Sequence, residues 1–276
     1  LTAKKEVPVI RTPMPAGRKR IITVVTVILA IAGYTWWSHE RHVENPKDRM
    51  VPSWSQMVEG FERVSRVDED DHARWIVADA KATAQRLVIG LAASVALAFV
   101  LGILMGCFHA VEAACLWWVS ALAKVPPTSV IVVIFMAVGT GMELYAVVIA
   151  VGVMPILTES VFLLVRDVPD EMLWKAETLG ASRTEVVWNV ITRMVAPKFV
   201  DNVRLQFGPA MVYLIAAELL CAYVGFGYRI NKFARQTHMD VVFVYVLALG
   251  LFGFAVNWLL TEFRNRAFPW YQKGGR

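Results

Sequence analysis

Long apolar runs separated by short polar intervals set the pattern of this chain. Ile21 to Trp37 is apolar and ends in the aromatic pair Trp36-Trp37. It is just long enough to cross about 30 Å of hydrocarbon at about 1.5 Å per residue. Further spans are predicted near residues 83–108, 113–138, 142–165, 199–223 and 241–262. The predicted fold is therefore all-α: a polytopic membrane helix bundle of about six transmembrane helices.

The polar intervals carry their own signals. Ser53 and Gln56 form a capping-box pair ahead of Trp54, Met57, Val58, Phe61 and Val64, which share one helical face. This predicts a short amphipathic helix on the outer surface. Asp68-Glu69-Asp70-Asp71 lacks the alternation and glycine of a calcium loop and reads as a solvated acidic turn. Residues 1–20 are polar and basic, with Lys4, Lys5, Arg11, Arg18, Lys19 and Arg20, and read as a cytoplasmic tail. A basic lead followed by a short apolar core and Ala30-Ile31-Ala32 also fits a signal peptide, against which the transmembrane reading of 21–37 is preferred.

Composition agrees with the pattern. The chain is 57% hydrophobic and 18% charged, with mean hydropathy +0.51, whereas soluble domains run nearer half apolar and a quarter charged. Its net charge of +5 fits Lys and Arg gathered on one membrane face better than nucleic-acid binding. With both termini on that face, the basic N-terminus, the 166–198 loop and the tail with Arg264, Arg266, Lys273 and Arg276 all become cytoplasmic. The three cysteines, Cys107, Cys115 and Cys221, lie inside apolar runs, without C-x-x-C spacing, and read as small core residues.

Inside the spans, Gly90, Ser94, Ala98, Gly102 and Gly106 recur at intervals of four. One helix face is thus lined by small residues and must meet another helix closely, within the subunit or across a dimer. Pro126-Pro127, Pro155 and Pro209 each remove a backbone donor and are expected to bend their helices. Pro126, Arg204 and Glu218 are candidates for the translocation path: the proline as a break in a span, the two ionisable groups because charge at membrane depth is costly. For Glu218 a hydrogen-bonded structural role is the competing reading.

The segment 166–198 is the most informative. Pro169, Asp170 and Glu171 open a helix, Gly180 fits a left-handed C-terminal cap, and Ser182 with Glu185 opens a second helix through Val186, Val187, Val190 and Ile191. Helix, glycine turn, helix between the fourth and fifth spans makes a rigid knob. DNA recognition by such a motif is disfavoured by its apolar faces and by entry into the bilayer at both ends.

Ala176-Glu177-Thr178-Leu179-Gly180-Ala181-Ser182-Arg183, followed by Pro197, resembles the "EAA" loop of type I ABC importer permeases, in their nitrate/sulfonate/taurine branch. The resemblance spans roughly Arg86 to Tyr271. It includes Val125-Pro126, Gly139-Thr140-Gly141, Val203-Arg204, Ala217-Glu218, Gly225-Phe226-Gly227-Tyr228 and Asp240. Trp174 stands where the family has its leading Glu, Lys175 occupies the next position, and Thr192-Arg193 replace a Leu-Pro pair.

The resemblance implies a permease subunit, not an enzyme, in a bacterial cytoplasmic (inner) membrane. Trp174, Lys175, Ala176, Glu177, Gly180, Ala181, Ser182 and Arg183 would couple it to an ATPase. Implied partners are a second permease (a copy or a sister chain), two cytoplasmic ABC ATPase subunits and a periplasmic or lipid-anchored solute-binding protein. The chain has no G-x-x-x-x-G-K-[ST], so ATP and Mg belong to the partner ATPase. The expected organisation is a basic tail over 1–20, a first helix over 21–37 and a periplasmic segment over 38–82. The permease core over 83–265 then includes the 166–198 loop, and a tail covers 266–276. The implied cargo is a small anion such as a sulfonate, nitrate or an organic acid. The alternative is an ion-coupled carrier or channel.

Overall fold

The computed structural model describes residues 14–46, 48–66 and 74–271. The acidic run 68–71, the basic residues Lys4, Lys5 and Arg11, and the tail residues Lys273 and Arg276 lie outside the described residues.

Among the described residues, five helices are long and apolar enough to cross a membrane, and a sixth span arises if one bent pair is counted as one. α1 (Ala16–Glu44) already contains Arg18, Lys19 and Arg20. It therefore begins before, and ends well beyond, the expected 21–37. Its apolar side chains, Ile21 through Ile31, remain largely exposed, as lipid or a partner helix requires. Its far end is anchored: the Tyr34 hydroxyl donates to the Pro52 carbonyl at 2.6 Å and the Trp54 indole to Thr35 Oγ1 at 3.0 Å.

α2 (Trp54–Ser65) carries the capping box expected at Ser53 and Gln56. Met57, Gly60 and Val64 form its buried face, while Val58 and Phe61 are exposed. Gly60 permits the close approach to the last helix. A Cβ there would sit 2.9 Å from the Asp240 backbone, so any larger residue would push the two apart.

α3 (Trp75–Cys107) and α6 (Met142–Arg166) form the central pair, with α9 (Thr192–Cys221) packed on both. Leu87, Val148, Ile149, Leu157, Val161 and Leu214 are among the buried residues of this core. α11 (Met239–Ala267) packs on α2, α9 and α10 (Phe226–Arg235). α10 is a short helix between the last two spans that the hydrophobic pattern does not reveal.

The expected span 113–138 is not a single helix. α4 (His109–Leu122) and α5 (Pro127–Val138) meet at 103°. Pro127 at the first position of α5 suits a helix start, and consecutive prolines push the residues before them out of helical geometry. Helix continues through Pro155 in α6 and through Pro197 and Pro209 in α9. Where neighbours supply packing, one lost donor does not end a helix.

Candidate functional site

Val168 is buried and Pro169 caps α7 (Asp170–Thr178), placing Asp170 and Glu171 in its first turn. The helix stops in a Schellman motif. The Ala181 N–H donates to the Ala176 carbonyl at 3.1 Å and the Gly180 N–H to the Glu177 carbonyl at 2.9 Å. Gly180 has φ +85°, and nothing lies within 4 Å of where its Cβ would be. Glycine is needed there for the backbone conformation, not for want of space. Leu173, Ala176, Ala181 and Val187 seat the turn on the core. Trp174 and Leu179 are 63% and 88% exposed, and Lys175, Glu177 and Arg183 are exposed beside them.

The second half differs from the expected pair of short helices. Ser182 and Glu185 do form a capping box, opening α8 (Arg183–Glu185). A π-helical segment, Val186–Ile191, follows and runs directly into α9. The knob is therefore one short helix docked on the cap of a very long one. Nothing interrupts the helical path from Ile191 into the span, and Pro197 is absorbed within it.

The eight residues of the expected coupling set thus gather around one turn. Ala176 and Ala181 are its feet, and Trp174, Lys175, Glu177 and Arg183 are exposed. The path candidates have separate surroundings. Pro126 is exposed at the α4–α5 bend. Arg204 donates to Thr261 Oγ1 at 3.1 Å and lies 3.8 Å from Asp201, which also accepts from Arg264 at 2.6 Å. It ties α9 to α11.

Glu218 is fully buried. It accepts from Arg86 Nη1 at 2.7 Å, from Thr83 Oγ1 at 2.9 Å and from the Gly227 N–H at 2.9 Å. Asp79, also fully buried, accepts from the Gly225 N–H at 2.8 Å, Arg229 Nε at 3.0 Å and the Tyr245 hydroxyl at 2.7 Å. Arg86 donates to the Val224 carbonyl, and Thr83 accepts from the Phe226 N–H. Side chains thus hold one backbone group on each of the four residues from Val224 to Gly227. Each buried charge has an opposite partner and further hydrogen bonds, the condition under which burial is tolerable. Glu218 is thus held in place by an ion pair and hydrogen bonds.

The hydrophobic pattern does not single out Asp79, Thr83, Arg86, Arg229 or Tyr245. A signal for three of them exists nonetheless. Asp79, Thr83 and Arg86 extend toward the N-terminus the same α3 face that carries Gly90, Ser94, Ala98, Gly102 and Gly106. That small-residue face packs on α6 within the subunit: a Cβ on Gly90 would meet Ile149 at 2.7 Å, on Gly102 Val161 at 2.5 Å and on Gly106 Val165 at 2.5 Å.

A bent bundle of apolar helices, with a charge-paired clamp at one end and a capped knob at the other, has the makings of an integral membrane transport subunit. Comparison with known proteins identifies which kind. Residues 98–268 match the family described as binding-protein-dependent transport system inner membrane component. The chain belongs to this family, the permeases of ABC importers, and is a transport subunit that works with a partner ATPase rather than an enzyme itself.

Among its relatives is the taurine transport system permease protein TauC of Escherichia coli, 25% identical over 69% of this chain and 69% of that protein. Another is the nitrate import permease protein NrtB of Leptolyngbya laminosa, 24% identical over 86% of this chain and 83% of that one. A solved structure of the MetNI methionine ABC transporter in inward-facing conformations shares the fold. It has TM-score 0.53 and 17% identity over 68% of this chain and 96% of its own.

Proposed function

We propose that this permease lines the path of a small anion, such as a sulfonate, nitrate or an organic acid, and that α7 with its glycine turn is the contact through which an ATPase drives it. The observation that carries this is the exposed Trp174 and Leu179 on a turn whose feet, Ala176 and Ala181, rest on the core. Force on α7 would pass directly into α9 through the capped Ser182–Glu185 turn. In this reading α7 and both termini are cytoplasmic, in an inner membrane. Two permeases, copies or sister chains, pair with two ATPases, and an external binding protein delivers cargo. The names of TauC and NrtB support a sulfonate and nitrate respectively. An ion-coupled carrier or channel would need free ionisable groups in the spans, and Glu218 and Arg204 are both engaged in internal contacts.

The test is ATP hydrolysis by the reconstituted transporter. Gly180→Trp, which forces a side chain into φ +85°, is expected to lower cargo-stimulated hydrolysis at least about tenfold while the chain stays folded, a loss of about 1.4 kcal/mol in coupling. Unchanged stimulation would sink the coupling role. Uptake of labelled taurine, nitrate and a neutral amino acid then assigns the cargo class.

A further inference from the structure

At the α7 end, residues of α6, α9 and α11 line a cavity of about 1050 Å³. Leu164, Val168, Met194 and Pro197 supply apolar wall, and Trp270 and Tyr271 close one side. Three cations and one carboxylate line it: Arg193, Lys198, Arg264 and Asp167. Arg264 is committed to Asp201 at 2.6 Å. Arg193 and Lys198 have no ion-pair or hydrogen-bond partner among the described residues.

Two features set the cavity apart from an ordinary surface dip. Asn189 and Val190 come from the π-helical segment; such segments are rare and recur at functional sites. The cavity also lies at the ends of three membrane-spanning helices, flanked by indole and phenol rings, which favour headgroup depth. At 100° per residue, Met172 stands on the flank of α7, away from the face of Glu171, Trp174 and Lys175. The cavity therefore adjoins α7, whose exposed Trp174 and Leu179 carry the proposed ATPase contact.

We propose that this cavity binds an anionic phospholipid, with its phosphate at Arg193 and Lys198 and an acyl chain along Leu164, Val168 and Met194. Two unpaired cations at the mouth of an apolar cleft match one molecule carrying both a phosphate and a hydrocarbon chain. A soluble phosphate would use the cations and leave the cleft empty. The site does not depend on the ATPase reading.

The experiment is lipid retention by the purified full-length chain, read by native mass spectrometry with phosphatidylglycerol or phosphatidylcholine. The wild type is expected to prefer phosphatidylglycerol. R193Q/K198Q should retain it about 25-fold less tightly, R193K/K198R should keep it, and K232Q/R235Q, at the opposite end, should not matter. As a second measurement, phosphatidylglycerol with brominated chains should quench the fluorescence of the wild type more than that of W270F. Equal retention of both lipids, or unaltered retention by R193Q/K198Q, overturns the proposal. Binding of glycerol phosphate as tight as that of the lipid overturns it in favour of a soluble ligand. Displacement of the lipid by the bound ATPase overturns it in favour of a protein contact.

Discussion

Among single residues, the buried carboxylates do most to fix the end of the bundle opposite the knob. Glu218 has no exposure and three kinds of donor. Glu218→Ala leaves Arg86 without its ion-pair partner and is expected to destabilise the chain by about 3–5 kcal/mol, read as thermal unfolding of the purified protein. Arg86→Met combined with Glu218→Leu should cost less than the sum of the single changes, because the pair is removed together. Additive losses would show that the two charges do not act as a unit. Glycine has a distinct role here. A Cβ on Gly225, at φ +129°, would lie 2.6 Å from Glu218 Oε1, so the backbone N–H groups reach the carboxylates only because side chains are missing.

Between elements, α3 and α6 show how a membrane helix pair is held without a hydrophobic driving force. Gly102→Ala is expected to cost about 1–3 kcal/mol by overpacking against Val161, because the methyl would begin 2.5 Å from that residue's Cβ. Gly33→Ala in α1, with nothing within 4 Å, should be neutral or slightly stabilising through helix propensity. Thermal unfolding of the two variants side by side separates close packing from propensity. The bent α4–α5 pair and the uninterrupted α9 carry a related lesson. Proline is a local rule whose outcome depends on its neighbours: Pro126-Pro127 breaks a span, while Pro155, Pro197 and Pro209 do not.

For the molecule as a whole, the apolar surface of α1 and the exposed Val132, Val133 and Met136 of α5 suit lipid or a second permease rather than water. Orientation follows from the α7 reading and can be measured. Leu179 is 88% exposed. Leu179→Cys, in a chain with Cys107, Cys115 and Cys221 replaced by alanine, should react with a membrane-impermeant thiol reagent in inverted vesicles lacking the ATPase, and not in intact cells. The opposite labelling would place α7 outside and remove the ATPase contact.

Features that depend on neighbours along the chain are legible without any fold. The apolar runs, the capping boxes at Ser53 and Ser182, the Gly180 stop and the small-residue face of α3 are local patterns, and each is present in the structure. Which surfaces meet is settled at the tertiary level. Packing turned the small-residue face onto α6 within the subunit, bent the third span at its prolines and ran the second knob helix into α9. It also joined Asp79, Arg86, Glu218 and Arg229, residues as far as 150 positions apart, into one clamp. Long-range pairing of charges leaves no periodic trace, because its partners are chosen by packing rather than by spacing. The segment opened by Pro169 can therefore be read from sequence as a capped turn, whereas its continuous helical link to the membrane is a property of the fold.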